Sequence, residues 1–304
     1  MRNDVLLSIV IANYNYGHFL KAAINSVTCQ CGKPVKCDDG IIRLPIVEGV
    51  FVELIICDAK SSDNSVKVIM SHEDELTWWC SEPDNGQSAA FNKGFAHSTG
   101  RFLTWLNADD VLIFGALKRL LDATRQFPTQ EWFAGGSVHF GPNERIILCT
   151  RTRRFSTYAA QHGQISVYAP SSFFSHRLYN SVNGVDEFFQ YSMDTHLWAK
   201  FYMQAGMKFI VLPCYMFGFR YHAESKTTCV HFRQDKSCDD VQQGDNQGTQ
   251  ERARIRAIFP PHKPMTWWGR WLHMDWVAKA ISLWDTMRYR GRYLHECGFL
   301  KKAL

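Results

Sequence analysis

The chain has 304 residues, of which 46% are hydrophobic, 21% charged and 14% aromatic. That is material for one large α/β domain or two smaller ones, and it excludes a globally disordered chain. The formal net charge of +5, from 34 Lys+Arg against 29 Asp+Glu, is too small to point to nucleic acid.

Leu6–Ala12 is a short apolar run ending in polar residues, the profile of a buried strand. The stretch from His18 to Val27 places Phe19, Leu20, Ala23, Ile24 and Val27 at helical spacing. Residues 30–49, rich in Gly, Pro and Asp, read as an inserted loop or small hairpin. Val52–Cys57 is a second buried strand, followed by the helix-capping turn DAKSSDNS and the helical run Val66–Met70. A short strand (Trp78–Cys80), a helix (Gln87–His97), a strand (Phe102–Leu106) and a helix (Gly115–Thr124) come next. This alternation predicts a mostly parallel, doubly wound sheet with ligands at the carboxyl ends of its strands. Beyond residue 131 the pattern changes to strands at Trp132–Phe140 and Arg145–Thr150, a helix over Asp194–Ala205 and a strand at Lys208–Leu212. Residues 235–250 (DKSCDDVQQGDNQGTQ) are almost free of apolar side chains and read as a flexible linker. No internal repeat occurs.

The start, MRNDVLLSIVIANYN, lacks the basic, apolar and small-residue succession of a secretory signal. No run approaches the ~18 apolar residues of a spanning helix, so a cytoplasmic chain with free thiols is expected. Cys29, Cys31 and Cys37 are the one cluster among ten cysteines; C-x-C-x5-C without an intervening His does not match common zinc sites.

Three predicted strands end in chemically useful side chains. Asn107-Ala108-Asp109-Asp110 follows the run FLTWL, and two carboxylates at a strand end suit Mg or Mn shared with a diphosphate. The alternative is a polar turn in which one Asp caps the next helix. Asp58 and the pair Tyr14–Asn15 also follow strands directly. Asp58 alone reads as a helix cap and Tyr14 as a half-buried loop aromatic. Together the three strand ends read as a nucleotide pocket, with the base stacked on Tyr14 and bonded to Asp58. No G-x-G-x-x-G follows the first strand and no G-x4-G-K-[ST] occurs, which disfavours dinucleotide oxidoreductases and P-loop kinases. A nucleotidyltransferase would show a Gly-rich basic loop after the first strand; ANYNYGHF is neither.

SIVIANYN, LIICDAKSSDNS, SEPDNGQSAAFNKGFAHSTG and FLTWLNADD, followed by APSSFFSHRLYNSVNGVDEFFQYSMDTHLWAKF and FRYHAESKT, resemble in that order the family 2 inverting glycosyltransferases of the GT-A fold. The resemblance covers roughly residues 6–230 and implies a Rossmann-like, mostly parallel doubly wound sheet with helices on both faces; a helical C-terminal tail follows it in the sequence. It implies a nucleotide-sugar-binding half (1–110) and an acceptor-binding half (111–234) of one catalytic domain. It also implies site residues: Tyr14, Asn15 and Asp58 at the nucleotide, Asn92 and Lys93 lining the donor site, and Asp109 near the ribose. Asp110 would meet the Mn or Mg ion, with His222 near the diphosphate or metal. Asp194 would be the catalytic base, and Ser171, Ser172 and Phe173 would lie by the acceptor. On residues alone, Asp194 reads rather as a first-turn carboxylate helping its helix dipole, and 171–173 equally as a strand packing aromatics inward.

The implied reaction moves a sugar from a nucleoside-diphosphate sugar, a UDP-sugar by preference, to a glycan or lipid-linked glycan hydroxyl with inversion. Bacterial capsule, lipopolysaccharide or exopolysaccharide synthesis is the implied setting, with no nucleic acid partner. A catalytically silent nucleotide-sugar-binding protein is the alternative, against which the retained Asp110 and Asp194 argue. Three positions depart from the family's usual pattern: Ala89 and Arg101 stand where acids are common, and Asp58-Ala59-Lys60-Ser61 replaces Asp-Gly-Gly-Ser. Arg101 is expected near the donor pocket, changing its polarity.

Residues 251–304 hold 11 Lys+Arg against four acids, and five of the ten tryptophans (267, 268, 271, 276, 284). Asp275, Lys279, Ser282 and Thr286 form a polar stripe at helical spacing within an otherwise apolar surface. Two readings stand: a helix at residues 266–292 lying on the anionic inner face of the cytoplasmic membrane, or one docked on the catalytic domain or another subunit.

Overall fold

The computed structural model describes residues 4–156, 167–225, 239–258 and 276–300. The sheet is built first from β1 (Asp4–Asn13), whose run VLLSIVIA is buried nearly throughout. β4 (Val50–Asp58) and β6 (Phe102–Asn107) lie parallel on its two sides, and β5 (Trp78–Ser81) lies parallel to β4. Central strands buried on both faces need continuous apolar sequence, which these have. Residues 30–49 supply the small hairpin β2 (Val35–Lys36) and β3 (Ile42–Val47), which pairs antiparallel with the first half of β4.

The second half adds β7 (Val111–Leu112), β8 (Trp132–Phe140), β9 (Ile146–Thr150), β10 (Ser172–Ser175) and β11 (Ile210–Arg220). The strand order is β2-β3-β4-β1-β6-β10-β8-β11-β7, with β5 on β4 and β9 on β8. β10 runs antiparallel to β6 and β8, so a parallel core carries a mixed extension.

Helices α1 (Gly17–Thr28), α2 (Ser65–Met70), α3 (Gln87–Ala96) and α4 (Ala116–Gln126) cover the sheet in the first half, and α5 (His176–Ser181) and α6 (Met193–Met203) in the second. One core packs α1 and α4 against β1, β4 and β6; another packs α3 and α6 through Phe91, Phe95, Trp105, Trp132, Phe174 and Trp198. Trp105 and Trp198 stack at 5.7 Å. Gly94 lets α3 lie this close to β1, because a Cβ there would stand 2.3 Å from Val10 Cγ1.

One expectation changes in the C-terminal part, and one of two readings of the last helix is met. The expected linker is helical from its fifth residue onward: α7 runs Asp239–Ile258 and buries Glu251 and Ile255. Residues 235–238 lie outside the described residues. The last helix, α8 (Trp276–Tyr289), docks on β9 by its polar stripe. Ser282 Oγ accepts from Arg151 N (2.8 Å), Thr286 Oγ1 accepts from Cys149 N (3.0 Å), and Asp285 pairs with the Arg151 guanidinium (3.0 Å). Leu283, Trp284 and Met287 point outward, each more than 60% exposed. Trp267, Trp268, Trp271 and Asp275 lie outside the described residues.

Candidate functional site

The carboxyl ends of β1, β4 and β6 align: Asn13 is in register with Asp58, and Ala12 with Asn107. Beyond them opens a cavity of about 680 Å³, within the range of small-molecule sites. Tyr14 and Asn15 line one side, with Tyr14 62% exposed and available to a flat ligand. Asn15 takes a positive φ of 57°, which turns the chain sharply after β1, and its Oδ1 accepts from Ser62 N (2.9 Å). Gln87 and Ala90 at the start of α3 form the opposite wall, next to Gly86.

Asp109 lines the cavity, and its Oδ2 lies 2.8 Å from His222 Nε2, which is buried behind it after β11. Tyr16 packs edge-on against the His222 ring with centroids 5.5 Å apart. A carboxylate oxygen at the cavity wall with an imidazole nitrogen buried directly behind it fit a divalent cation that takes its remaining ligands from water and a diphosphate. Among the described residues no third His, Cys, Asp or Glu joins them.

The structure reverses the expected division between the paired acids. Asp110 is buried beneath the floor, where Oδ1 accepts from Arg220 N (3.0 Å) and Oδ2 from Asn107 Nδ2 (2.8 Å). Burial, and then the adjacent Asp109 charge, push its carboxyl well above the usual range. Asp110 ties β6 to β11, and Asp109 faces the ligand space.

Asp58 is likewise withdrawn. It is 1% exposed and accepts four internal bonds: Asn13 Nδ2 and Ser61 Oγ on Oδ1, Ser61 N and Ser81 Oγ on Oδ2. A carboxylate has about four acceptor positions, and all are filled. Asp58 therefore pins the ends of β1, β4 and β5 behind the pocket rather than meeting a base directly.

Asn92 and Lys93 sit on the far side of α3. Asn92 Nδ2 donates to Val185 O (2.9 Å) and Lys93 pairs with Glu82 (2.8 Å), so neither lines the cavity. Ser171, Ser172 and Phe173 are buried where β10 is inserted between β6 and β8. Ser172 Oγ accepts from Trp132 Nε1 (2.8 Å) and Phe173 packs in the core, so the inward-packing reading holds and the acceptor reading does not. Arg101 stands at the amino end of β6, where its N–H donates to Val5 O (2.8 Å). That is the opposite edge of the sheet, so it cannot alter the polarity of this cavity.

Asp194 occupies the first turn of α6, outside the cavity lining but on the adjoining element. Its neighbour Met193 meets Ser88 of α3, whose Oγ donates to Phe189 O (2.7 Å). Burial is the main cause that raises the Asp194 carboxyl above its ordinary range, partly offset by Thr195 N donating to Oδ1 (2.6 Å).

Residues 8–178 match the family model described as glycosyl transferase family 2. The chain belongs to that family. An uncharacterised glycosyltransferase of Nostoc sp. is 33% identical over 119 residues, 38% of this chain and 32% of its own length. The UDP-Glc:alpha-D-GlcNAc-diphosphoundecaprenol beta-1,3-glucosyltransferase WfgD of Escherichia coli is 29% identical over 117 residues, 38% of this chain and 40% of its own. Matches to the first three curated relatives span only 32%, 40% and 61% of their lengths. S. aureus TarS 1–349 in complex with UDP-GlcNAc superposes with a TM-score of 0.53 at 12% identity, covering 84% of this family 2 chain and 71% of that one. The mixed α/β sheet is the GT-A fold.

The cavity also holds residues that the motifs did not single out. Tyr16, Gln87, Phe219, Glu224 and Ser225 all line it. Tyr16 OH donates to Glu224 O (2.9 Å), closing the segment after β11 over the end of β1. Tyr16 lay two residues past the named Tyr14, and Glu224 two past His222, so proximity to the named residues was their one signal.

Proposed function

We propose that this family 2 chain transfers a sugar from a nucleoside-diphosphate sugar to an acceptor hydroxyl, with a divalent cation and with inversion at the anomeric carbon. The observation that carries the proposal is Asp109, which lines a cavity walled by exposed Tyr14 and is backed at 2.8 Å by the buried His222 imidazole. Bound there, Mn or Mg would neutralise the charge of the leaving diphosphate. Tyr14 offers a face for the base, and Asn15 and Gln87 offer polar edges to the ribose and sugar. Asp194, raised by burial, suits a general base that takes the acceptor hydroxyl's proton, a contribution of ~10²–10⁴-fold.

A UDP-sugar donor is supported by the name of the E. coli relative and by the UDP-GlcNAc complex of TarS. The relative's diphosphoundecaprenol acceptor supports a lipid-linked glycan, and hence bacterial surface polysaccharide synthesis. Among the described residues no helix is long and apolar enough to cross a membrane. The outward Leu283, Trp284 and Met287 of α8, beside Arg288, Arg290 and Arg292, support a peripheral contact with an anionic inner leaflet.

The test is a panel of UDP- and GDP-sugars with Mn and a lipid diphosphate-linked GlcNAc acceptor, with product configuration read by NMR. Transfer with inversion from a UDP-sugar is expected. No transfer or hydrolysis of any donor, with nucleotide-sugar binding retained, would identify a silent binding protein.

A further inference from the structure

Glu251 is a carboxylate with no solvent exposure, on a helix whose sequence is mostly polar. Its oxygens accept three consecutive backbone N–H groups of another segment. Gln190 N donates to Oε1 at 2.8 Å, and Tyr191 N and Ser192 N donate to Oε2 at 3.0 and 2.8 Å. Gln247 Nε2, one turn earlier on α7, also reaches Oε1 (3.3 Å). Ser192 is the residue that opens α6, and its own side chain makes no capping bond. The Glu251 carboxylate therefore holds the turn leading into that helix and supplies its start with an acceptor for the Ser192 amide and negative charge at the positive end of the dipole. Charge-assisted bonds of this kind are about twice as strong as neutral ones.

The held turn has two functional neighbours. Asp194 follows two residues after Ser192. On the other side, the Gln190 side chain presses on Gly86 of the cavity wall, where a Cβ would stand 2.6 Å from Gln190 Oε1. Ile255, one turn further along α7, is buried in the α3–α6 core, and Arg254 lies over the Phe188 ring at 3.8 Å. The docked helix thus grips the 188–192 turn from both ends.

We propose that Glu251 is a positioning residue: it fixes the 190–192 turn and through it sets where the Asp194 carboxylate stands relative to the donor cavity. The catalytic part rests on the reading of Asp194 as base; the holding part does not. Glu251→Gln keeps the shape but turns an NH₂ toward a backbone N–H, whichever way the amide is oriented. Glu251→Asp shortens the reach while keeping the charge.

Two measurements on the full chain test it. In hydrogen exchange, peptides covering 188–197 are expected to exchange at least about tenfold faster in Glu251→Gln, while those covering β1 and β6 keep their wild-type rates. In transfer assays, kcat is expected to fall about 10- to 100-fold in Glu251→Gln, with donor KM within about threefold and partial recovery in Glu251→Asp. Unchanged exchange at 188–197 would overturn the proposal. So would a uniform acceleration across the sheet with kcat per folded molecule unchanged, which is what a merely structural role gives. A wild-type protein that transfers no sugar would remove the catalytic part along with the proposed function, and the exchange result would still decide the holding role.

Discussion

Asp58→Asn separates a pocket contact from a hidden pin. One Asp58 oxygen receives Ser61 N (3.0 Å), a backbone donor that cannot reverse its role, and the other receives Asn13 Nδ2 (2.7 Å), from an amide that can turn over only by giving up its bond to Ser61 Oγ (3.2 Å). Each also receives a hydroxyl, from Ser61 or Ser81, which can turn round to donate or accept. Asn at this position puts an NH₂ against Ser61 N in one orientation, and in the other against Asn13, whose amide must then turn over and lose its bond to Ser61 Oγ. A buried donor left unpaired costs about 1–3 kcal/mol, and bonds to a charged acceptor are the stronger kind. The substitution should therefore lower the unfolding free energy by about 2–4 kcal/mol. Urea unfolding followed by tryptophan fluorescence, to which Trp78 and Trp79 on the pinned strand β5 contribute, measures it. UDP affinity, measured by calorimetry in native buffer, should stay within about threefold, or roughly 0.7 kcal/mol. The reasoning is refuted by the converse: stability within about 0.5 kcal/mol of wild type and UDP affinity reduced tenfold or more.

Asp194→Asn should cut kcat by ~10²–10⁴-fold and leave donor binding unchanged, as single-turnover assays with a donor titration would show. Because the folded carboxyl is raised, its charged form costs stability once pH exceeds the folded value; the Asn variant should therefore be at least as stable as wild type at pH 7, checked by thermal melts. The acid limb of kcat against pH should lie above the ordinary Asp value of ~3.9, since only the deprotonated form accepts the proton. Glu251 pushes the same way, and His196 beside it is held down to about 4 and stays neutral there. Gly94→Ala should destabilise by ~1–3 kcal/mol through the Val10 clash, read in the same urea experiment. Replacing Leu283 and Trp284 of α8 with Ser should weaken co-sedimentation with anionic vesicles without changing thermal stability; equal co-sedimentation would remove the membrane proposal.

The layout of the first half was legible because buried parallel strands need unbroken apolar runs and their ends are marked by abrupt polarity. Tyr14, Asn15 and Asp109 stand at such ends and line one cavity. Asp58 and Asp110 stand at similar ends, yet their neighbours decide their roles. Asp58 is claimed by Ser61 and Ser81 and Asp110 by Asn107 and Arg220, partners up to 110 residues away that no local pattern displays. Ser171 to Phe173 look the same whether they edge a pocket or cross the middle of a sheet, and the insertion of β10 between β6 and β8 is a matter of topology. α7 was missed because its composition gives few apolar side chains. Tertiary anchoring by one buried Glu and one buried Ile replaces an amphipathic stripe. The polar stripe of α8 was seen, but not which way it faces: it faces the protein because β9 and Arg151 offer backbone and guanidinium partners.

The central claim is a cation-assisted nucleoside-diphosphate site founded on Asp109 and His222. UDP titrated into wild type with and without Mn tests it most directly, with Asp109→Asn in parallel. Mn should tighten UDP binding at least about tenfold in wild type, or about 1.4 kcal/mol, and the Asn variant should lose that gain. UDP affinity indifferent to Mn in wild type, or an undiminished Mn effect in Asp109→Asn, would contradict the account.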